Sequence, residues 1–488
     1  MTLKWIVVVL AAGCEKDLLA ELPDAATVAT MNVHGTAAIN YSTDSGDMVV
    51  PVDLTTAAIE TFAPDGSEER VPTSKIVGDF DIPVDANAAR WDLCYTQFGG
   101  TPVCVLGAAP MPLFENRLIG RPDQHAPTMP TPVTFNATNL LPWQTTDDLE
   151  LFSTSVGAFV GSPEQQFVTP LATDAVAIAG QTFDWATSAT PLVDASKGDT
   201  VTVMQQRAQL SGSDSYLGVA RAGTATDFRQ VDGQPSTLSV ALADLPQHQV
   251  TLHWKRSQFE PLQPLGSTDG QQFLYVDALP ELTTYGVGTG SPDLALYNPP
   301  VGSTDIDDTL SYGNPFSTNG TSWDEFVALS YFFNISRLAP GATTPLTNTT
   351  GYFERIPVAL LGTGVLAPKI TAVRGVTLAG ADAMMEQHGT GLTPTVAWNA
   401  PAMGTPTFYR VDIYELGAVA GVSQFTLRGS IYGTETSIVI PPHILAAGTT
   451  YILEITAVIQ PNKDIAAAPF SAHGQVAEFA IATAQFTP

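Results

Sequence analysis

Basic residues are scarce in this chain of 488 residues, which has 20 Lys and Arg against 48 Asp and Glu and a formal net charge of −28. They stand mostly singly along the sequence, and the closest cluster is Lys255 with Arg256. Because binding to a phosphate backbone needs a basic stripe, we expect no nucleic-acid partner. Only 14% of the residues are charged, so the acidity reflects a shortage of bases and fits the solubility of an exported protein.

Long hydrophobic runs and helical periodicity are also lacking. Beyond residue 14, no apolar run approaches the roughly twenty residues that a membrane helix needs. Short runs rich in Val, Ile, Thr, Phe and Tyr are separated by turn residues, among them many of the 40 Gly and 37 Pro. This pattern predicts an almost entirely β chain. Its length predicts about two to four domains.

Cysteine is rare: the chain has three, of which Cys94 and Cys104 lie close together in the sequence and Cys14 lies apart. Cys94 and Cys104 flank the dipeptide Gly99-Gly100, so we predict a hairpin with a disulfide between its strands. Two buried free thiols are the alternative. A metal site is disfavoured, since no histidine lies nearby in the sequence.

The remaining cysteine, Cys14, ends a segment with three distinct parts. Lys4 supplies a positive charge, residues 5–10 are apolar, and residues 11–13 are small. The segment resembles the lipobox signal of bacterial lipoproteins. The resemblance implies that residues 1–13 are removed and that Cys14 carries a diacylglycerol and, on its new amino group, an acyl chain such as palmitate. The alternative is an apolar N-terminal strand with a chance cysteine.

Residues 14–27 are predicted to be a tether between the lipid and the first domain. Glu15 follows Cys14 in place of the Asp that retains some lipoproteins in the inner membrane, so we expect the outer membrane. As a whole, the chain resembles exported lipoproteins of Gram-negative bacteria.

Strand and turn spacing predicts four β units. They cover residues 28–127, 128–265, 266–366 and, after a linker over 367–391, residues 392–488. In the first unit, Gly78-Asp-Phe80-Asp-Ile82 leads into Trp91-Asp-Leu93. This pattern resembles the carboxypeptidase regulatory-like, transthyretin-like sandwich.

The middle region contains two segments that echo each other. Residues 131–140 and 236–245 each form an alternating run, followed by a second apolar run at 148–152 or 249–254. The echo predicts two β-sandwich units, with a joint near residues 261–270. A propeller-like β array is the alternative, because strand spacing alone does not separate the two.

The last unit carries the most specific pattern in the chain. Trp398 lies on one predicted strand, and a Leu, a Gly turn and a Tyr then open an alternating strand, with Leu445, Gly448, Tyr451, Leu453, Ile455 and Ala457 in order. The pattern resembles a fibronectin type III domain. The resemblance implies a β-sandwich in which the Tyr451 hydroxyl bonds back to the chain, and a spacer or binding module without inherent catalysis.

An acidic segment offers the one candidate metal site. Asp305 and Asp307 point the same way on an extended strand, and with Asp308 and loop carbonyls they could supply oxygen ligands for a structural Ca²⁺. A solvated acidic turn is the favoured alternative, and otherwise we expect no cofactor. His248 and His253 are separated by an odd number of positions, so on a strand they point to opposite faces.

Aromatic residues gather around Trp323 and Phe326. Such side chains can form a flat platform for a glycan or a protein partner, although core packing is the favoured interpretation. Substitution of Trp323 and Phe326 by Ala separates the two interpretations by its effect on fold stability.

We assign no catalytic residue from the sequence. It contains no Gly-x-Ser-x-Gly elbow, His-Glu-x-x-His motif or phosphate-binding loop. The sequence therefore favours a lipid-anchored envelope protein with a structural, adhesive or partner-binding role. The alternatives are a glycan-binding lectin and a glycan hydrolase in the middle region. A hydrolase would need paired carboxylates, and its first candidates would be Asp305, Asp307, Asp308, Asp324 and Glu325.

Overall fold

The computed structural model of the protein describes residues 30–43, 46–63, 69–86, 90–96, 100–211, 214–280, 285–286, 291–317, 323–469 and 476–488. Cys14, the predicted signal peptide and the whole of the predicted tether lie outside the described residues. The described residues form an all-β fold built from several sheets, which confirms the predicted fold class. Within these ranges, no helix has the length and apolar character required to cross a membrane.

The strands group into four β-sandwiches. The first contains β1 (Thr30–Thr43), β2 (Gly46–Pro51), β3 (Ala58–Phe62), β4 (Glu69–Arg70), β5 (Ser74–Lys75), β6 (Asp79–Asp85), β7 (Asp92–Thr96), β8 (Val103–Val105) and β9 (Leu113–Ile119). The second contains β10 (Pro132–Thr138), β11 (Asp148–Ser153), β12 (Ala158–Gly161), β13 (Ala177–Asp184), β14 (Val201–Ser211), β15 (Asp214–Ala225), β16 (Ser236–Ala241) and β17 (Ala243–Asp244).

The third and fourth sandwiches follow in the chain. The third contains β18 (Gln247–Trp254), β19 (Thr268–Leu279), β21 (Asp293–Tyr297), β22 (Ile306–Gly313), β23 (Asp324–Arg337) and β24 (Leu346–Pro357), while β20 (Tyr285–Gly286) pairs with β9 of the first sandwich. The fourth contains β25 (Arg374–Leu378), β26 (Ala381–Asp382), β27 (Gln387–His388), β28 (Thr395–Asn399), β29 (Phe408–Val419), β30 (Val422–Gly433), β31 (Ser437–Val439), β32 (Tyr451–Ile459), β33 (Val476–Ala482) and β34 (Phe486–Thr487).

Helical structure in the described residues is confined to single turns. They are the α-helical turn Val358–Leu361 and the 3-10 turns Pro163–Gln166, Trp185–Ser188, Ala195–Lys197, Arg256–Gln258 and Glu260–Leu262.

One sheet passes through all four sandwiches, and we call it the common sheet. Its strands are hydrogen-bonded in the order β4-β3-β7-β8-β30-β29-β32-β33-β24-β23-β19-β21-β15-β14-β11-β12, with the short strands β17, β34 and β27 attached. Each sandwich is completed by a smaller sheet. These are β20-β9-β1-β6-β5 with β2 on β1, then β13-β10-β16, β18-β22 and β26-β25-β28-β31.

Alternation along the strands explains why the small sheets pack on the common sheet. In β6, the buried residues are Phe80, Ile82 and Val84, and the residues between them are partly exposed. They pack with Leu93 and Tyr95 of the common sheet in the core of the first sandwich. Full burial of such a side chain contributes about 1.5–3 kcal/mol, so a few strands suffice to hold each small sheet.

The hydrophobic cores do not correspond one to one to the four sandwiches. The first and second sandwiches each have a core of their own. The third and fourth share one continuous core, which also includes Phe62, Cys94 and Leu106 from the outer face of the first sandwich. The sandwiches are therefore packed against each other by buried apolar side chains.

The boundary between the two middle sandwiches lies earlier than predicted. β18 pairs with β22 to form the small sheet of the third sandwich, so this sandwich begins near residue 247 and not at 266. The hairpin β14–β15 belongs to both, because Val203 is in the core of the second sandwich while Tyr216 is in that of the third. The middle region is thus two sandwiches that share a hairpin, and it has no propeller-like blades in its described parts.

The two echoing segments, residues 131–140 and 236–245, do not open two separate domains as the sequence predicts. Their strands, β10 and β16, pair with each other in parallel within the small sheet of the second sandwich. They resemble each other because they occupy neighbouring positions on one half-buried sheet, and not because each opens a separate domain.

The linker predicted over residues 367–391 is wrong for most of its length. β25, β26 and β27 lie within it, and Val376 and Leu378 are buried in the fourth sandwich. The segment contains Gly375 and Gly380. Because glycines are typical of turns and loops, the sequence pattern predicts a linker although a short strand is present.

The corner that Tyr451 was predicted to form is present. The hydroxyl of Tyr451 accepts a hydrogen bond of 2.9 Å from the amide of Ala446, and its ring is buried. Trp398 packs on Tyr409 across the same sandwich, with ring centroids 5.3 Å apart. The likeness to fibronectin type III domains remains a resemblance.

The first and fourth sandwiches join edge to edge, although they lie at opposite ends of the chain. β8 pairs in parallel with β30, from Val103 opposite Ser430 to Val105 opposite Tyr432. The amide of Leu106 donates to the Tyr432 carbonyl at 2.8 Å, and the amide of Ser430 donates to the Pro102 carbonyl at 3.0 Å. The chain therefore folds back on itself.

Candidate functional site

The predicted disulfide is present. Cys94 on β7 lies directly opposite Cys104 on β8, and their sulfur atoms are bonded. The alternative of two free thiols is therefore wrong. The bridge lies next to the junction with β30, so it also fixes the strand that connects the first sandwich to the fourth.

The three aspartates proposed as calcium ligands do not converge. Asp305 and Asp307 point the same way, as predicted, but both face the ammonium of Lys255, at 3.4 and 3.6 Å. Asp308 accepts a hydrogen bond of 3.4 Å from the hydroxyl of Tyr297 instead. Within the described ranges, no three His, Cys, Asp or Glu side chains lie close enough together to hold a metal ion.

Local donors favour the ionised form of Asp305 and Asp307. Hydrogen bonds from the amide and the hydroxyl of Ser257 lower the pKa of Asp305. A contact of 2.8 Å with His253 lowers the pKa of Asp307. Calcium binding by these residues stays a prediction from the sequence. In the structure, Asp305 and Asp307 form salt bridges with Lys255.

The aromatic residues do not form an exposed platform. Trp323 is 8% exposed and Phe326 is 2% exposed. The Trp323 ring stacks on Phe316 at 5.4 Å and meets Phe152 edge-on at 5.7 Å. The proposed binding role of these two rings is therefore wrong. Both rings pack in the core, which is the interpretation that the sequence favours.

Glu325 is the centre of a polar network that ties three strands together. His248 Nδ1 of β18 lies 2.5 Å from its carboxylate, and the Tyr312 hydroxyl of β22 donates to it at 2.8 Å. The side-chain amide of Asn314 donates to it at 2.8 Å as well. The carboxylate thus holds the small sheet of the third sandwich onto β23. As the strand alternation predicts, His248 and His253 have separate partners.

A cavity of about 340 Å³ on the second sandwich is lined by two neighbouring carboxyl groups. It is lined by the side chains of Asp148 and Glu164, with Trp143, Leu171 and Leu217 around them. Asp148 begins β11, and Glu164 lies in the 3-10 turn that follows β12. Because β11 and β12 form a hairpin, the two acidic residues are brought side by side.

Burial and the neighbouring carboxylate alter the ionisation of Glu164. Burial, together with the charge and the hydrogen bond of Asp148, raises the pKa of Glu164 to about 9. The carboxylate of Asp148 accepts hydrogen bonds from the hydroxyl of Ser162 at 2.8 Å and from the amide of Leu149 at 2.8 Å. The protonated form of Glu164 is therefore favoured in this position.

Behind the cavity, more carboxyl groups are buried between the second and third sandwiches. Burial raises the pKa of Glu150 and of Asp293 well above their ordinary values, and the carboxyls also repel each other. Glu150 accepts from the amide of Asp293 at 3.0 Å and from the side-chain amide of Gln206 at 3.1 Å. Asp277 is paired with Arg355 at 3.2 Å. Among the described residues, the guanidinium of Arg355 is the positive charge that acts on Asp277 and Asp293.

The carboxyl groups in this cavity can form hydrogen bonds to a ligand and can bind a proton. A hydrogen-bonded pair such as Asp148 and Glu164 is closer than the roughly 5–10 Å that separates the two carboxyls of a glycosidase. The pair therefore does not have the geometry of a glycan hydrolase. No sequence motif points to this pair, since a hairpin brings the two residues together and neither has a local signature.

Comparisons with known proteins add little. No family model matches the chain, and no curated protein matches it. Among solved structures, the structure of the Streptococcal ancillary pilin aligns with 65% of this chain and 95% of its own, at 10% sequence identity and a TM-score of 0.11. A similarity this weak transfers neither a fold nor a function.

Proposed function

We propose that this chain is an exported, lipid-anchored protein of the bacterial cell envelope, with a structural, adhesive or partner-binding role. The observation that carries the proposal is the common sheet. Four sandwiches connected by strand pairing and buried side chains hold their outer surfaces in fixed relative positions. Such a scaffold suits a protein that presents a surface to a partner or connects envelope components.

The disulfide supports the export step of the proposal. Disulfides form and persist in oxidising compartments and are rare in the cytosol. The bond between Cys94 and Cys104 closes a short hairpin and is part of the fold. This fits a chain that folds outside the cytoplasm.

The anchor is proposed from the lipobox-like sequence that ends at Cys14. Each buried methylene of an acyl chain contributes about 0.8 kcal/mol to membrane binding, so two or three chains anchor a protein stably. We further propose the outer membrane as its location, on the basis of Glu15.

The test uses the full chain with an affinity tag after Pro488, expressed in a Gram-negative host. Mass spectrometry of the N-terminal peptide should find a mature chain that begins with an acylated Cys14, and fractionation should find it in the outer membrane. Cys14→Ser should abolish both acylation and membrane association. Glu15→Asp is the matched control, because it should keep the acylation and move the protein to the inner membrane. An unmodified Cys14 contradicts the anchor.

Crosslinking in intact cells, followed by capture on the same tag, tests the role. One dominant envelope protein among the captured partners is the expected result for a structural or partner-binding component. Acylation without any protein partner contradicts that role.

A further inference from the structure

A cavity of about 190 Å³ lies between the first and fourth sandwiches. Its floor is formed by β3 and β7 and includes Ala58, Phe62 and Cys94. Its roof is the segment after β31 and includes Pro442 and Ile444. The cavity therefore exists only because the two ends of the chain come together.

Strand alternation determines which side chains face this cavity. On β3, Ile59 points into the core of the first sandwich, so Ala58, Glu60 and Phe62 point to the other face. On β7, Tyr95 points inward, and Cys94 points to the cavity. Phe62, Cys94 and Ile444 are buried in the core that the third and fourth sandwiches share, to which the first sandwich contributes Phe62 and Cys94. Most of the lining is thus apolar and fixed.

Glu60 is the carboxylate in this lining. It is half-buried, and among the described residues no hydrogen-bond donor or cation lies within bonding distance of its side chain. Burial and the nearby charge of Glu69 raise the pKa of Glu60, and His443 acts in the opposite direction. A carboxylate in a partly apolar cavity without a close partner is unfavourable. A cation placed beside it would remove that cost.

The rim of the cavity is held in place across the junction. His443 Nε2 of the fourth sandwich lies 3.2 Å from Glu69 Oε2 of the first. The backbone of His443 has φ of 70°, in the left-handed region that residues other than glycine rarely adopt. Such conformations are concentrated at binding sites and switch regions, where the surrounding structure holds them.

We propose that this cavity is a binding site for a small organic amine, in which Glu60 binds the protonated amino group and Phe62 and Ile444 pack on its apolar body. The charges that act on Glu60 are those of Glu69 and His443, and a second carboxylate beside Glu60 favours a cation over a neutral or anionic ligand. The site does not depend on the lipid anchor, and its failure leaves the proposal for Cys14 untouched.

The volume limits the size of the ligand. A cavity of about 150 Å³ lined by apolar side chains holds one benzene ring. The present cavity is somewhat larger, at about 190 Å³. It therefore fits a single ring or a short alkyl chain with one amino group, and a disaccharide is too large.

The test measures binding of benzylamine, benzyl alcohol and benzoate to the purified full chain by ligand-observed NMR. We expect binding of benzylamine, about tenfold weaker binding of the neutral alcohol, and no binding of benzoate, because a charge-assisted contact is worth at least a factor of ten. Glu60→Gln should reduce benzylamine binding to the level of benzyl alcohol. Ala58→Leu should remove the binding of both compounds by filling the cavity.

Glu260→Gln is the matched control, since it removes one negative charge from an exposed site on the third sandwich. It should leave all three affinities unchanged. Thermal melting of each variant shows that it is folded, and Ala58→Leu provides a second test if Glu60→Gln does not fold. Equal binding of the amine and the alcohol, or benzylamine binding that persists in Glu60→Gln, overturns the proposal. So does the absence of benzylamine binding to the unaltered chain.

Discussion

At the scale of single residues, burial raises the pKa of the Glu164, Glu150 and Asp293 carboxyl groups. Glu164 is the most accessible of them, since it faces the cavity on the second sandwich. Its pKa is about 9 in the folded chain and near its ordinary value of 4.5 after unfolding. The protonated form is thus favoured by folding, and its contribution to stability is fully present below pH 4.5 and is lost as the pH rises towards 9.

Glu164→Gln should therefore change the pH dependence of stability. The unaltered chain should lose more stability than the variant between pH 5 and pH 9, since the variant has no proton to lose at this position. Melting temperatures measured at one-unit pH intervals test this. Glu260→Gln, at an exposed site, should behave like the unaltered chain. Parallel curves for the unaltered chain and Glu164→Gln contradict the raised pKa.

Arg121 allows a comparison of a buried and an exposed ion pair on one guanidinium. It donates to both oxygens of Asp199, at 3.0 Å each, and it also contacts Asp123. The side chain of Asp199 is 1% exposed, whereas that of Asp123 is 58% exposed. The two pairs should therefore differ greatly in their effect on stability.

We expect Asp199→Asn to lower the free energy of unfolding by about 2 kcal/mol or more, because it leaves Arg121 without its buried partner. Asp123→Asn should cost less than about 1 kcal/mol, as exposed pairs usually do. Urea denaturation of both variants checks this prediction. Similar losses in the two variants would show that burial does not decide the strength of these pairs.

At the scale of elements, the hairpin of β7 and β8 has two roles. Its disulfide closes a short loop, and β8 supplies the edge to which β30 of the fourth sandwich is hydrogen-bonded. A loop of this length stabilises a chain by about 3 kcal/mol on the chain-entropy estimate.

The double variant Cys94→Ala, Cys104→Ala should therefore lose about 3 kcal/mol of stability in denaturant unfolding. Addition of a reductant to the unaltered chain should produce a comparable loss, whereas the reductant should not affect the double variant. A double variant that is as stable as the unaltered chain contradicts a structural role of the bridge.

Elements with strong local patterns could be predicted from the sequence. The alternation of Phe80, Ile82 and Val84 marks β6, and the pattern around Tyr451 marks a sandwich corner. β25 was missed because it is short and contains a glycine. The pair of Asp148 and Glu164 was missed because a hairpin creates it, and neither residue has a local signature.

At the scale of the whole molecule, the sequence predicts separate modules in tandem, and the structure has one continuous sheet. No sequence pattern could reveal the junction of β8 and β30, since contacts there, such as that of Thr101 with the Leu427 carbonyl, join residues 326 positions apart. The junction also creates the cavity that contains Glu60. The proposed scaffold role and the proposed amine site thus both depend on how the chain ends meet.

Hydrogen exchange of the amides at this junction tests the continuous sheet most directly. The amides of Leu106 and Ser430 donate across the junction, and the amide of Leu113 donates to the Ala467 carbonyl nearby. If the sandwiches form one body, these amides should exchange as slowly as those inside β7 and β29. Exchange at the rates of exposed strand edges, with β7 and β29 still protected, would contradict the junction of the first and fourth sandwiches and divide the common sheet between β8 and β30.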